Sequence, residues 1–207
     1  MISDIYDNGK QLPVMEEFYT LQGEGFHTGT AAYFLRIGGC DIGCNWCDSK
    51  ASWSFGLHPL INVDEIVARV LDFPGRAVVV TGGEPTLYPL SYLCDKLHQA
   101  GIKTFIETSG AYEMSGAWDW VCLSPKIQSP PFSDNYLKAN ELKVIIERTS
   151  DFKWAEENAG KVSHECSLFL QPEWSRKGEM LGEIINYIEA NPKWRLSLQA
   201  HKYIGIP

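Results

Sequence analysis

Cys40, Cys44 and Cys47 stand in the run Gly39-Cys40-Asp41-Ile42-Gly43-Cys44-Asn45-Trp46-Cys47, a C-x3-C-x2-C spacing with an aromatic residue directly before the last thiol. A loop this short turns three thiolates toward one centre and supplies no fourth. Three ligands suit a [4Fe–4S] cubane whose remaining iron stays open to an exogenous ligand, which is a catalytic arrangement. A structural zinc site wants four tetrahedral ligands, usually from paired C-x2-C knuckles. The nearest further candidates, Asp41, Asp48 and His58, repeat no knuckle, so the spacing favours a cluster over zinc. Cys94, Cys122 and Cys166 read as ordinary buried thiols, and a chain of 207 residues buries a core without disulfide staples.

The elements that must position these groups follow from the hydrophobic pattern. Short apolar runs predict strands at 31–37, 77–81, 103–107, 120–123, 141–146, 167–170 and 195–198. Most are nearly continuous in apolar character, as strands covered on both faces are. Amphipathic stretches predict helices at about 64–71, 90–100, 151–158 and 179–189, with Asn62 or Asp64 capping the first and Ser150 the third. Strand–helix alternation implies a parallel α/β sheet. Six or seven strands for four clear helices predict an incomplete, TIM-like barrel rather than a full ring, in one domain spanning residues 1–207.

Polar motifs fall where such strands end. Arg36 and the cysteine loop follow the run at 31–37, and Thr81-Gly82-Gly83-Glu84-Pro85 follows the next. Then come Glu107-Thr108-Ser109-Gly110, Ser124-Pro125-Lys126, Gln171-Pro172-Glu173-Trp174 and Gln199-Ala200-His201-Lys202. The carboxyl ends of parallel strands converge on one face, so these motifs are expected around one pocket. Singly, each also reads as a turn. Gly82-Gly83 permits close backbone approach by a ligand, and Glu84 could accept a hydrogen bond from a ligand ammonium. Gln22 and Glu24, in Phe18-Tyr19-Thr20-Leu21-Gln22-Gly23-Glu24-Gly25, supply an amide and a carboxylate suited to a planar, guanine-like edge; a two-glycine turn is the alternative. Arg36 suits bidentate pairing with a ligand carboxylate, or a salt bridge to Asp41 or Glu24.

The net charge is −8 and the pI near 5.1, with no block of Lys and Arg, which argues against a nucleic-acid footprint. No apolar stretch reaches the roughly 20 residues that span a bilayer, and no signal-peptide core stands at the N-terminus. Unpaired cysteines without a secretory signal are expected in the cytoplasm. Seven Trp, nine Tyr and nine Phe are expected mostly in the core.

The cysteine loop after one strand and Gly-Gly-Glu-Pro after the next resemble the radical S-adenosylmethionine superfamily. That resemblance implies a [4Fe–4S] cluster on Cys40, Cys44 and Cys47, with S-adenosylmethionine chelating the open iron. One electron then cleaves the sulfonium to a 5′-deoxyadenosyl radical, so no side chain is the catalytic nucleophile or base. Implied cofactor contacts come from Trp46 and Asp48, and from Gly82, Gly83 and Glu84 at the methionyl amine. Others fall on Ser109, Ser124, Pro125 and Lys126, and on Gln171, Pro172, Glu173 and Trp174.

A narrower resemblance covers nearly the whole chain, from Leu21 to Tyr203. Leu21-Gln22-Gly23-Glu24-Gly25, Arg36 four residues before Cys40, Glu107-Thr108-Ser109-Gly110, Ser124-Pro125-Lys126, Leu170-Gln171-Pro172 and His201-Lys202-Tyr203 are similar to motifs of the 7-carboxy-7-deazaguanine synthase family. It implies a lyase reaction: 6-carboxy-5,6,7,8-tetrahydropterin is contracted to 7-carboxy-7-deazaguanine with loss of ammonia, toward queuosine and other 7-deazapurines. S-adenosylmethionine would be regenerated. Implied substrate contacts are Leu21, Gln22, Gly23 and Glu24 at the pyrimidine edge, Arg36 at the carboxylate, and Thr81, His201 and Pro207, the last through a terminal carboxylate. The family's Mg2+ ligand is usually a threonine after Cys-Asp; here Ser49 keeps the oxygen but lacks the β-branch, which implies looser Mg2+ binding. A homodimer and a flavodoxin- or ferredoxin-type electron donor are also implied. The rivals are a glycyl-radical activase, which needs a protein-docking surface, and a non-catalytic zinc module.

Overall fold

The computed structural model describes residues 6–207. Its frame is one sheet of nine strands in the order β3-β1-β2-β4-β5-β6-β7-β8-β9. The strands are β1 (Gln11–Leu21), β2 (Ala31–Ile37), β3 (Leu60–Asn62), β4 (Ala77–Gly82), β5 (Lys103–Thr108), β6 (Trp120–Leu123), β7 (Glu141–Ile146), β8 (Ser167–Pro172) and β9 (Trp194–Leu196). From β2 onward, β3 apart, every pairing is parallel, and β1 joins β2 and β3 antiparallel. The ends of the sheet, β3 and β9, do not pair with each other. The architecture is an open α/β partial barrel, as the alternation of runs predicts.

Side-chain alternation divides the sheet into two faces. Leu35 and Ile37 of β2, Val78 and Val80 of β4 and Ile106 of β5 pack outward under α1 (Val63–Leu71) and α2 (Ser91–Gln99). Leu142, Val144 and Ile146 of β7 and Leu170 of β8 do the same under α4 (Asp151–Ala159) and α5 (Lys177–Ala190), with Trp194 closing that half. The concave face carries a small apolar cluster of Ala32, Phe34, Ala77, Val79 and Phe105. Beyond it, toward the carboxyl ends of the strands, this face turns polar. Two short helices, α3 (Asn135–Lys138) and α6 (Ala200–Ile204), complete the set.

The seven strands expected from apolar runs are all present, and the four helices match within two residues at either end. Two strands were not expected. β1 contains Pro13 and the pair Glu16-Glu17, which read as strand breakers. Both acids are paired across the structure, Glu16 with Arg36 and Glu17 with Arg69 at 2.8 Å, so their tolerance depends on residues far away in sequence. β3 has only three residues. Asn62 caps α1, its side-chain oxygen accepting from the Asp64 amide at 2.8 Å. Ser150 makes no cap bond to α4; Asp151 instead accepts from the Glu147 and Arg148 amides.

Candidate functional site

The cysteine loop leaves the end of β2 and is fastened to the protein by its backbone. Gly39 donates to the Ser52 carbonyl at 2.6 Å and Cys40 to that of Trp53 at 3.2 Å. Cys44 is buried and Cys40 and Cys47 are half-buried. Two donors aim at the sulfurs: Trp53 Nε1 at Cys47 Sγ, 3.3 Å, and Gln128 Nε2 at Cys44 Sγ, 3.2 Å. Burial pushes the Cys40 thiol up to about 11 and raises Cys44 as well, so cationic iron is what would hold them as thiolates.

The donor set fits a cluster and not a lone ion. Among the described residues no three His, Cys, Asp or Glu side chains converge as they would on one metal. A cubane spreads its three cysteines over three irons. The candidates for a fourth zinc ligand are committed elsewhere. Asp41 accepts from the Tyr112 hydroxyl, Asp48 from Lys202 and Gln199, and the His58 ring packs over Gly38 with Nε2 3.2 Å from the Ala51 carbonyl.

Gly82 and Gly83 bring the end of β4 against this loop. Gly83 donates to the Ile37 carbonyl at 2.8 Å and Glu84 to that of Gly39 at 2.9 Å. Gly82 has φ of 127°, and a Cβ there would collide with Ile37 backbone, as one on Gly83 would with the Gly39 carbonyl. The pair is therefore required by the close approach of two protein backbones. The Glu84 carboxylate differs from the expectation of an ammonium acceptor. It accepts from the Thr86 amide and hydroxyl, from the Thr108 hydroxyl, and from the Ser109 amide and hydroxyl. With its oxygens so engaged, it is a buried strut joining β4 to β5.

All of this borders one cavity of about 350 Å3 at the carboxyl ends of the strands. Of the residues to which the family resemblance gives a cluster, cofactor, Mg2+ or substrate contact, Pro125 alone does not line it. It is buried between Ser124 and Lys126, both of which do, and so spaces that turn rather than forming a wall. Lys126 donates to the Ser124 carbonyl at 2.6 Å and lies 5.4 Å over the Trp46 ring. Arg36 pairs with Glu16 at 2.5 Å, rather than with Asp41 or Glu24, and donates to Ser49 Oγ at 3.0 Å. Glu173 is turned back onto the amides of Ser175 and Arg176. The His201 ring packs on Gly23, and burial lowers its basicity.

The floor of the cavity holds groups that the sequence reading passed over. Lys143, with its side chain 4% exposed, contacts Glu24 at 2.5 Å and Glu107 at 3.1 Å. Gln22 donates to Glu107 at 2.7 Å, and Gln199 donates to Glu24 at 2.9 Å and to Asp48 at 3.2 Å. Burial alone would raise the Glu24 carboxyl; the Lys143 charge and hydrogen bonds from Lys143, Gln199 and Gln171 hold it down to about 2. The signal for Lys143 lay in β7 itself. Glu141-Leu142-Lys143-Val144 alternates charged and apolar residues inside a strand whose apolar face is covered by helices, so its charges must face the cavity side.

Comparisons with known proteins give the family and the fold. The model of the Radical SAM superfamily matches residues 35–159. A 7-carboxy-7-deazaguanine synthase of Flavobacterium psychrophilum is 54% identical over 97% of this chain and 95% of its own length. That of Synechocystis sp. is 46% identical over 94% of this chain and 93% of its own. The crystal structure of QueE from Escherichia coli superposes with a TM-score of 0.83 at 31% identity, covering 97% of this chain and 99% of that one. The chain belongs to the radical SAM superfamily and, within it, to the 7-carboxy-7-deazaguanine synthases.

Proposed function

We propose that the cavity is where this enzyme contracts 6-carboxy-5,6,7,8-tetrahydropterin to 7-carboxy-7-deazaguanine with loss of ammonia, on the way to queuosine and related 7-deazapurines. One observation carries the reading: a single cavity runs from the three-thiol loop to an amide-and-carboxylate floor beside Arg36. When bound, the cluster and S-adenosylmethionine supply the carbon radical that removes the substrate hydrogen. The chain's own residues bind, orient and exclude water. Cys40, Cys44 and Cys47 would hold the cluster. Trp46, Asp48 and the backbone of Gly82, Gly83 and Glu84 would border S-adenosylmethionine, together with Ser109, Ser124 and Lys126 on one side and Gln171 to Trp174 on the other. Gln22 and Glu24 would take the pyrimidine edge. Arg36, paired with Glu16 through Nε, would turn toward the substrate carboxylate the N–H groups that Glu16 and Ser49 leave open. Leu21, Gly23, Thr81, His201 and Pro207, which also line the cavity, would complete the substrate side of the wall.

Mg2+ belongs to this proposal as an ion that Ser49 would help to hold near the substrate carboxylate. Ser49 presents its oxygen at the cavity, but Arg36 already donates to it at 3.0 Å, and a cation there competes with a guanidinium. Loose binding is expected: chelation lowers turnover several-fold and added Mg2+ restores it. Unchanged turnover in chelator removes the ion from the site.

The reading extends to a single domain over residues 1–207, a homodimer, a cytoplasmic setting and a flavodoxin- or ferredoxin-type electron donor. All six cysteines are free thiols, in keeping with a reducing setting, and no helix among the described residues is long and apolar enough to cross a membrane. Anaerobic reconstitution followed by incubation with reductant, S-adenosylmethionine and the pterin tests the function. The 7-deazapurine product is expected by absorbance and mass; a brown, iron-loaded protein that releases no such product overturns it.

A further inference from the structure

The floor of the cavity is unusual in its charge. Two carboxylates, Glu24 and Glu107, meet on one buried ammonium, that of Lys143. Burial works against the ammonium, yet the acidic groups around it, Cys122, Glu107, Glu24 and Glu141, raise Lys143 well above its ordinary value. Cys122 is itself pushed far up by burial and is a neutral thiol at physiological pH, so the carboxylates do the raising. The three groups arrive from separate places in the chain: Glu24 from the turn after β1, Glu107 from β5 and Lys143 from β7. Gln22 is fixed to the far oxygen of Glu107, so the orientation of its amide depends on the same cluster.

We propose that Lys143 is a specificity-determining, positioning residue. Its ammonium holds Glu24 and Glu107 side by side as anions, which makes the floor a reader for hydrogen-bond donors. A 2-amino-4-oxo pyrimidine edge presents two neighbouring donors, the ring N–H and the exocyclic amine. Its 2,4-dioxo counterpart replaces the amine by a carbonyl, an acceptor facing an anion. Discrimination against such an isostere is large because the buried acceptor would be left without a partner. Without the ammonium, two neighbouring carboxylates share a proton, and the floor gains a donor of its own. The proposal rests on the reading that Gln22 and Glu24 meet the pyrimidine edge.

Other titratable groups face this cluster. Glu141 stands two residues before Lys143, and Cys122 and Lys126 come from β6 and the turn after it. His201 comes from α6, and Asp48, paired with Lys202, reaches Glu24 through Gln199. Burial holds His201 below its ordinary value, so it is not the source of a proton uptake that begins above neutrality.

The test uses the reconstituted, iron-loaded enzyme. KM for 6-carboxytetrahydropterin, and inhibition by its 2,4-dioxo analogue, are measured between about pH 6 and 8 for the wild type, Lys143→Met, Lys143→Arg and Glu24→Gln. The wild type is expected to show a flat KM and strong preference for the amino edge. Lys143→Met is expected to lose about tenfold in that preference, with a KM that worsens as pH falls. Lys143→Arg keeps the charge and is expected to keep both the preference and the flat profile, so it carries the test if the methionine variant does not load iron. A Lys143→Met variant whose KM rises equally at every pH, with the preference intact, overturns the proposal, as does loss of preference in Lys143→Arg. If Glu24→Gln leaves the pterin KM unchanged, the underlying reading of the floor fails. If Glu24→Gln weakens pterin binding while Lys143→Met still discriminates, Lys143 alone is wrong.

Discussion

Two N–H groups reach thiols of the cysteine loop, Trp53 Nε1 at Cys47 and Gln128 Nε2 at Cys44. Hydrogen bonds to cluster sulfur stabilise the more electron-rich, reduced state and so raise the reduction potential. Neither residue belongs to the cysteine motif, and neither carries a spacing that marks it in sequence. Trp53→Phe keeps the ring and removes the donor. The variant is expected to bind iron normally, with a midpoint potential shifted negative in an anaerobic redox titration and slower reduction by a weak donor. Gln128→Leu should act in the same direction, and the two shifts should add, since the donors serve different sulfurs. A potential unchanged in both variants would mean that solvent, rather than these N–H groups, sets the electron density on the thiolates.

At the scale of elements, the site depends on how closely the loop after β4 lies against the loop after β2. The Gly83 amide and the Gly39 carbonyl region leave no room for a Cβ, and the contact is backbone on backbone, which cannot yield as a side chain would. Gly83→Ala is therefore expected to lower iron loading after reconstitution severalfold. Gly178→Ala, where a Cβ meets open space in α5, is the control and should load fully. The same scale explains what the sequence made legible. β2, β4, β5, β6 and β7 are apolar runs whose partners are their own neighbours in the sheet, so local pattern suffices to find them. The ends of β2, β4, β5, β6 and β8 carry or are followed by Arg36, Thr81, Glu107, Ser124 and Gln171, and a rule about strand ends finds these too. β1 was hidden because Glu16 and Glu17 are neutralised by Arg36 and Arg69, contacts that local pattern cannot supply. Lys143 was passed over because it lies mid-strand, where residues are read as core, although the charged–apolar alternation of β7 marks it. The strut role of the Glu84 carboxylate was hidden for a related reason: its hydrogen-bond partners Thr108 and Ser109 arrive from β5 and the turn after it.

For the whole molecule, two buried carboxylates near Lys143, Glu24 and Glu141, make stability depend on pH in two opposed ways. Glu24 is held down to about 2 in the folded chain from an ordinary value of 4.5. Its contribution is present in full above the unfolded value and is lost as pH falls toward the folded one. The size is on the order of 3 kcal/mol, which compares with the 5–15 kcal/mol that holds a typical protein folded. Glu141 behaves oppositely, because burial raises its carboxyl above the ordinary value despite Lys143 and bonds from the Phe26 amide and the Trp120 indole. Its contribution is present below the unfolded value and is lost as pH rises through the folded one. Urea unfolding between about pH 3 and 7 separates the two. The stability gap between wild type and Glu24→Gln should be widest near neutrality and shrink below about pH 4.5. For Glu141→Gln the variant should gain on the wild type as pH rises through the same range. Gaps that ignore pH in both variants would mean that the floor is solvated enough to leave its carboxylates at their ordinary values, and Lys143 would then have no buried pair to hold.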